Sequence, residues 1–232
     1  MKQVANEAPK QKVMDKLVDF LSRTRKPIMI TLSVIAVAVV TLVIVLSIQN
    51  SREEAALAAV EDLQSSFDDW MEVDDDAKPD GYDALSQSVA EIVDGFPRTY
   101  AASRARMIDG RALVELERWD EASTKYGEVA DFFPESYLAP VALMDAAVAA
   151  ESGGDTERTI ELLTRLIDDY GEQSAETPRA LFSVGRILEQ RDDVADAAQT
   201  YRRLIEDYPA SSWTNLARNR IITLTVEGRI GG

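Results

Sequence analysis

Residues 133–136 read Phe-Pro-Glu-Ser, and the opening pair of this stretch has counterparts throughout the chain. The four related pairs are Phe96-Pro97, Phe133-Pro134, Tyr170-Gly171 and Tyr208-Pro209, with successive aromatic residues 37, 37 and 38 positions apart. Proline lacks an amide donor and glycine accepts left-handed backbone, so each pair predicts the end of a helix. A recurrence at this period predicts a solenoid of paired helices, an architecture that mostly binds other macromolecules.

Positions at fixed distances from these pairs also agree in residue type. Twelve residues before each Pro or Gly stand Leu85, Ala122, Thr159 and Ala197, and twelve residues earlier the last three units have Gly110, Ala147 and Gly185. Small residues on two facing helices predict that their backbones cross closely. The second helix of each unit also carries an apolar stripe at i, i+4 and i+7, which predicts one buried face.

This pattern resembles the tetratricopeptide repeat family, in which small residues twelve apart precede an aromatic residue and a terminal proline. The resemblance covers about residues 81–226, with a longer period than the family's and without its early tryptophan. It implies an all-α fold in which helix-turn-helix repeats form a right-handed superhelix. The structural repeat positions are Pro97, Gly110, Ala122, Pro134, Ala147, Gly185, Ala197 and Pro209. The link Phe-Pro-Glu-Ser, repeated as Tyr-Pro-Ala-Ser at residues 208–211, resembles repeats of bacterial cell-envelope proteins.

A long apolar segment precedes the repeats. Residues 27–51 contain no charged side chain, and about 20 apolar residues in a helix cross the core of a bilayer. The segment is longer than the apolar part of a signal peptide, and it ends in Leu46-Ser47-Ile48-Gln49 with no convincing cleavage site after it. We therefore expect a retained transmembrane anchor over residues 27–49 rather than a cleaved signal peptide. The alternative, a buried core helix, is disfavoured because core helices rarely stay uncharged over this length.

Charge is distributed unevenly about this segment. Residues 1–26 hold seven Lys or Arg and three Asp or Glu, a net charge of +4. Of the 25 basic and 41 acidic residues in the chain, 18 and 38 remain beyond the segment, a net charge of −20. Because basic flanks stay inside, this asymmetry predicts an inside amino terminus and repeats outside. The acidic balance disfavours nucleic acid as a partner.

The predicted organisation has three parts. Residues 1–26 form a basic cytoplasmic tail with an amphipathic juxtamembrane helix, residues 27–49 form the anchor in the bilayer, and residues 50–232 form the extracytoplasmic repeat domain. In that domain we expect an atypical first unit over 52–97, repeats over about 98–134, 135–171 and 172–209, and a capping helix over 211–227.

Two local expectations belong to these parts. In the tail, one helical face carries four apolar residues: Val13, Leu17, Phe20 and Leu21. Such a face favours a helix that lies in the membrane interface. The alternative is a weakly helical tail in which these apolar residues have no specific role. In the first unit, a helix should run from Ser51 or Arg52 to Met71, and the next should begin near Tyr82. The first of these helices should turn the following side chains toward the first repeat: Ala56, Leu57, Val60, Leu63 and Phe67.

The composition excludes most catalytic arrangements. With no His and no Cys, the chain lacks Ser-His-Asp triads, thiolate nucleophiles and the usual zinc ligands. No glycine-rich phosphate loop follows a predicted strand. The acidic loop at residues 74–83 has the wrong spacing for an EF-hand, since Gln87 stands where a bidentate Glu is needed. We therefore expect no enzymatic activity, no cofactor and no metal.

The resemblance also implies a binding groove lined by the first helix of each repeat. Carried over by register, its positions are Arg104, Met107, Arg111, Val141, Met144, Val148, Arg179, Phe182 and Arg186. Arginine can bind carboxylates through two hydrogen bonds, and Met and Phe offer adaptable apolar contact, so a segment with acidic and apolar side chains would fit. The alternative is that these arginines form surface ion pairs with neighbouring carboxylates, worth ~0–1 kcal/mol each.

The layout of basic tail, anchor and acidic repeats resembles the ancillary subunit family of the bacterial Sec translocon. This resemblance implies a single-pass protein of the bacterial inner membrane, with a cytoplasmic amino terminus and periplasmic repeats. It also implies protein partners, namely translocon subunits, nascent polypeptides or chaperones. Two alternatives remain: a structural scaffold of envelope assembly or cell division, and, less favoured, a ligand sensor or enzyme.

Overall fold

A computed structural model of the chain describes the backbone of residues 8–231 and the side chains of Met14 and residues 29–231. Within residues 8–231 the α-helices are α1 (Ala8–Met71), α2 (Lys78–Gly95), α3 (Tyr100–Glu115), α4 (Trp119–Phe132), α5 (Leu138–Ser152), α6 (Thr156–Tyr170), α7 (Thr177–Gln190), α8 (Val194–Asp207) and α9 (Ser212–Val226). Two short 3-10 turns, Asp75–Ala77 and Gly171–Gln173, complete this range, which contains no strand. From α2 onward, each helix packs mainly against its neighbours in sequence. The predicted all-α solenoid is therefore confirmed.

Helix α1 joins segments that the sequence analysis treated separately. It continues through Pro27, which gives up one backbone hydrogen bond, and reaches Met71 without a break. The chain divides into two compact units, Met1–Glu54 and Ala55–Gly232. The predicted amphipathic face at Val13, Leu17, Phe20 and Leu21 lies outside the residues whose side chains are described.

The apolar part of α1 meets the length and composition requirements of a membrane span. From Met29 it includes an 18-residue window of mean hydropathy 3.0, and none of that window is buried. A signal sequence near the amino terminus has the same character. The segment is therefore a candidate span by length and composition.

The first unit differs from the sequence expectation at two points. Leu57 was expected to face the first repeat with Ala56 and Val60, but Leu57 is 44% exposed while Ala56 and Val60 are buried. It lies one position off the buried helical face, so its side chain turns to solvent. Helix α2 begins at Lys78 rather than near Tyr82, because Pro79 occupies the first turn, where no amide donor is needed.

The recurring aromatic residues end helices by a shared backbone conformation. The backbone angles φ and ψ are −129° and 53° at Phe96 after α2, and −134° and 53° at Phe133 after α4. They are −128° and 55° at Tyr208 after α8. Tyr170 is the last residue of α6, and Gly171 then adopts φ +38°. The repeated stretch thus closes one helix in each unit before the next unit begins.

The serine of the same stretch starts the next helix. The Ser136 hydroxyl oxygen accepts a hydrogen bond from the Leu138 amide at 3.2 Å, and the Ser211 hydroxyl oxygen accepts one from the Trp213 amide at 3.3 Å. Both bonds satisfy amide donors that a helix start leaves unpaired. Four residues therefore encode a helix end, a turn and a helix start.

In the units of Gly110 and Gly185, the glycine of the first helix makes room for a tyrosine ring of the second helix. A Cβ atom at Gly110 would lie 2.6 Å from Tyr126 Cε1, and one at Gly185 would lie 2.5 Å from Tyr201 Cε1. The tyrosine ring therefore fills the space above the glycine. In the intervening unit the same register pairs Ala147 with Leu163. Alanine is larger than the glycine of the other two units, and leucine is smaller than their tyrosine.

Candidate functional site

The first helices of successive units are the carboxyl-terminal part of α1, then α3, α5, α7 and α9. Their side chains contact one another across units through the pairs Arg104–Glu61, Arg111–Phe67, Tyr137–Tyr100, Arg186–Glu151, Phe182–Trp213 and Arg220–Glu189. These contacts place the side chains on one continuous surface, which we call the first-helix face. The nine predicted groove residues all lie on its helices.

The predicted groove arginines already have partners within the chain. The ion pairs are Arg104–Glu61 at 2.6 Å, Arg186–Glu151 at 2.6 Å and Arg179–Glu176 at 3.6 Å. The Arg111 guanidinium carbon lies 5.2 Å from the centroid of the Phe67 ring, within the range of a cation–π contact. Because the first three charges are balanced internally, an acidic partner would compete with a carboxylate of this chain.

The predicted apolar contacts divide between surface and core. Val148 is 42% exposed and Val141 is partly exposed, but Met144 is only 2% exposed and cannot meet a partner. Helix α5 packs against both α4 and α6 and is apolar around nearly its whole circumference, so Met144 lies in the core. Met107 and Phe182 are partly buried against that core.

Two tyrosines that the sequence analysis passed over extend the face. The rings of Tyr100 and Tyr137 stack with centroids 6.0 Å apart, and the Tyr137 hydroxyl donates to the Tyr100 hydroxyl at 2.8 Å. That hydrogen bond, followed by burial, raises the pKa of Tyr100. Both residues stand three positions after the proline of a repeated pair, so the register could have identified them.

Asp145 is the other missed residue. It follows Val141 by one helical turn and precedes Val148 by three residues, and it is partly buried. Among the described residues, none donates a hydrogen bond to its carboxylate. Burial raises the pKa of Asp145, with Arg179 and Arg111 opposing the rise and Glu176 adding to it. The sequence carried a sign of this site, because Asp145 is the only charged residue from Leu138 to Ala150.

We expect Asp145→Asn to stabilise the fold at neutral pH, because burial of this carboxylate disfavours its charged form. The native pKa lies above the ordinary value of 3.8, so the native state binds this proton more readily than the unfolded state. The gain should be full above the raised native pKa and should vanish below 3.8, where aspartate is neutral in both states. Urea denaturation of both proteins from pH 3 to pH 8 measures this difference, and equal stability at pH 8 would contradict it.

The comparisons with known proteins agree with this architecture. The sequence profile of the tetratricopeptide repeat matches residues 144–212. A TPR repeat-containing protein of Treponema pallidum (strain Nichols) is 33% identical over 156 residues, which make up 66% of this chain. The match spans 62% of the length of that curated relative.

Solved structures show the same fold. Two crystal structures of nearly identical TPR-like repeats, from a Podosopora anserina protein assigned as a kinesin light chain, superpose with TM-scores of 0.51 and 0.50. They share 13% and 12% sequence identity with this chain, and the superpositions cover 78% of it and 86% and 87% of those chains. The similarity at this identity concerns the fold alone.

Together these findings define the class of protein. They support the tetratricopeptide repeat family for this chain, and repeats of this family indicate a protein–protein interaction scaffold. The fold agrees, because stacked helix pairs present an extended surface for a binding partner.

Proposed function

We propose that this chain is a membrane-anchored scaffold that binds segments of other proteins on its first-helix face and has no catalytic activity of its own. One observation carries this proposal: helix α5 and its amino-terminal turn present Tyr137, Val141, Asp145 and Val148 at successive turns. Tyr137 and Val148 are 68% and 42% exposed. Exposed apolar side chains around a carboxylate that accepts no hydrogen bond from the described residues suit a protein partner.

The charge layout favours a particular setting for this scaffold. A tail of net charge +4, an apolar span and a repeat domain of net charge −20 fit an amino terminus in the cytoplasm and repeats in the periplasm. In that setting the chain acts as an accessory factor of the Sec translocon, assisting the biogenesis of secreted or envelope proteins. Its partners are then translocon subunits, nascent polypeptides or chaperones, and the bilayer holds it through residues 27–49.

Photocrosslinking in cells tests the partner. A photoreactive phenylalanine at Val148 should form adducts with translocon subunits or nascent secreted chains. The matched control is the same substitution at Glu161 of α6, whose side chain is 66% exposed and lies on a second helix. Adducts only with cell-wall or division proteins would replace the translocon role by the envelope scaffold. Equal adducts from both positions would argue against binding on the first-helix face.

Cysteine labelling tests the topology cleanly, because the chain contains no native Cys. Asp168→Cys should react with a membrane-impermeant maleimide once the outer membrane is opened, whereas Lys10→Cys should react only after the inner membrane is permeabilised. Extraction at alkaline pH should leave the full-length chain in the membrane pellet. Labelling in the opposite order would reverse the orientation, and a shortened soluble product would show that the apolar segment is a cleaved signal.

A further inference from the structure

The charges on the first-helix face point to a cationic rather than an acidic ligand group. We propose that the part of this face around Asp145 binds a lysine or arginine side chain of a polypeptide partner, whose neighbouring apolar side chains contact Val141 and Val148. The inference rests on the proposed function and names the chemistry of the partner.

Two arginines of the first-helix face that could attract an acidic partner already form ion pairs within the chain. Arg104 and Arg186 each lie 2.6 Å from a carboxylate oxygen of the preceding first helix. These two pairs link neighbouring units, so a partner carboxylate would compete with a contact between units. The face therefore presents few unbalanced positive charges to a ligand.

The charged groups nearest Asp145 form their own contacts elsewhere. Arg111 of α3 and Arg179 of α7 are its cationic neighbours, but neither lies within ion-pair distance of its carboxylate. Arg111 lies over the Phe67 ring at 5.2 Å, and Arg179 is 3.6 Å from Glu176. Glu176, and Tyr126 of α4, are further titratable neighbours of Asp145. The Asp145 carboxylate thus keeps its acceptor capacity for a donor from outside the chain.

The charge of the repeat domain and the apolar side chains beside Asp145 both favour such a ligand. Beyond the apolar segment the chain carries a net charge of −20, which attracts a basic segment over long range. Val141 and Val148 flank Asp145 on α5, and the stacked Tyr100–Tyr137 pair lies one further turn away. Apolar side chains beside the cation would cover the valines, and removal of water there would strengthen the charged hydrogen bond.

Selection from a library of random 12-residue peptides displayed on phage tests this inference with the full-length chain in an uncharged detergent. Peptides enriched on the native protein should carry Lys or Arg beside apolar residues. Asp145→Asn should lower the binding of those peptides roughly tenfold, the size expected for one charge-assisted hydrogen bond. Asp145→Arg should shift the enriched residue to Asp or Glu.

The matched control is Asp168→Asn on α6, which removes the same charge from an exposed site. It should leave peptide binding nearly unchanged, and thermal melting followed by circular dichroism should show all variants folded. Equal losses in Asp145→Asn and Asp168→Asn, or no basic enrichment, would overturn the inference.

Val148→Arg separates the inference from the proposed function. If selected peptides lack a basic preference but lose binding to Val148→Arg, the first-helix face still binds polypeptides and only the cationic specificity is wrong. If no peptide is enriched, or if Val148→Arg binds every selected peptide as the native protein does, both proposals fail.

Discussion

Gly110→Ala should lower the free energy of unfolding by about 2 kcal/mol, although alanine is the better helix former by about 1 kcal/mol. The added methyl would lie 2.6, 2.7 and 2.8 Å from three ring carbons of Tyr126. Tyr126 is only 4% exposed, so its ring has little room to retreat. Urea denaturation followed by circular dichroism measures the loss, and Gly185→Ala should behave alike beneath Tyr201.

Two further variants make this prediction specific. Gly127→Ala in α4 should raise the free energy of unfolding by about 0.5–1 kcal/mol, because the nearest atom to its new methyl is the flexible Arg158 Nη2 at 3.8 Å. Tyr126→Leu combined with Gly110→Ala reproduces the Ala147 and Leu163 arrangement of the next unit. The double variant should be more stable than the sum of the single losses predicts, and strict additivity would contradict a ring-to-methyl clash.

Glu189→Ala should weaken the docking of α9 on α7 by about 2–3 kcal/mol. The Glu189 carboxylate side chain is 11% exposed and accepts hydrogen bonds from the Arg220 guanidinium and from the Tyr201 hydroxyl at 3.2 Å. The Arg229 guanidinium adds an ion pair at 3.8 Å. Removing the carboxylate leaves these donors without their acceptor beside a largely buried ring.

Because α9 contacts mainly α7 and α8, the loss should be local. Hydrogen exchange should accelerate over Ser212–Val226 before it does so in α3 to α6, as expected for the end of a solenoid. Glu157→Ala is the matched control, since Glu157 also faces an arginine, Arg191 at 3.4 Å, but its side chain is 81% exposed. It should change stability by less than about 0.5 kcal/mol. Equal effects of the two substitutions would show that burial does not strengthen the Glu189 contacts.

The two stability predictions and the binding proposal concern different parts of each unit. Gly110 and Tyr126 lie between the helices of one unit, and Glu189 lies between successive units. Asp145 contributes no hydrogen bond to either interface and carries a burial cost for its charge. A partly buried carboxylate that weakens the fold and accepts no hydrogen bond from the described residues is more consistent with ligand binding than with structural support.

The amino-acid sequence determined the order of the helices and the helix ends at the recurring aromatic pairs. Proline after an aromatic residue and serine two positions later act within a single turn of backbone, so the pattern at Phe133 to Ser136 could be interpreted without any distant contact. The apolar window of α1 is likewise a property of consecutive residues. For the same reason the fold class and the helical part of each unit were predictable.

Only the tertiary structure decided which side chains remain available on the surface. Met144 and Val148 stand four residues apart on one helix, yet Met144 is buried, because α5 packs between its neighbours and Met144 points into that packing. Arg186 and Arg104 form ion pairs with carboxylates that are 35 and 43 residues away in the sequence, on another unit. The Asp145 carboxylate accepts no hydrogen bond from the described residues, because the neighbouring Arg111 and Arg179 contact Phe67 and Glu176 instead. These outcomes depend on contacts between units, which no local sequence pattern specifies.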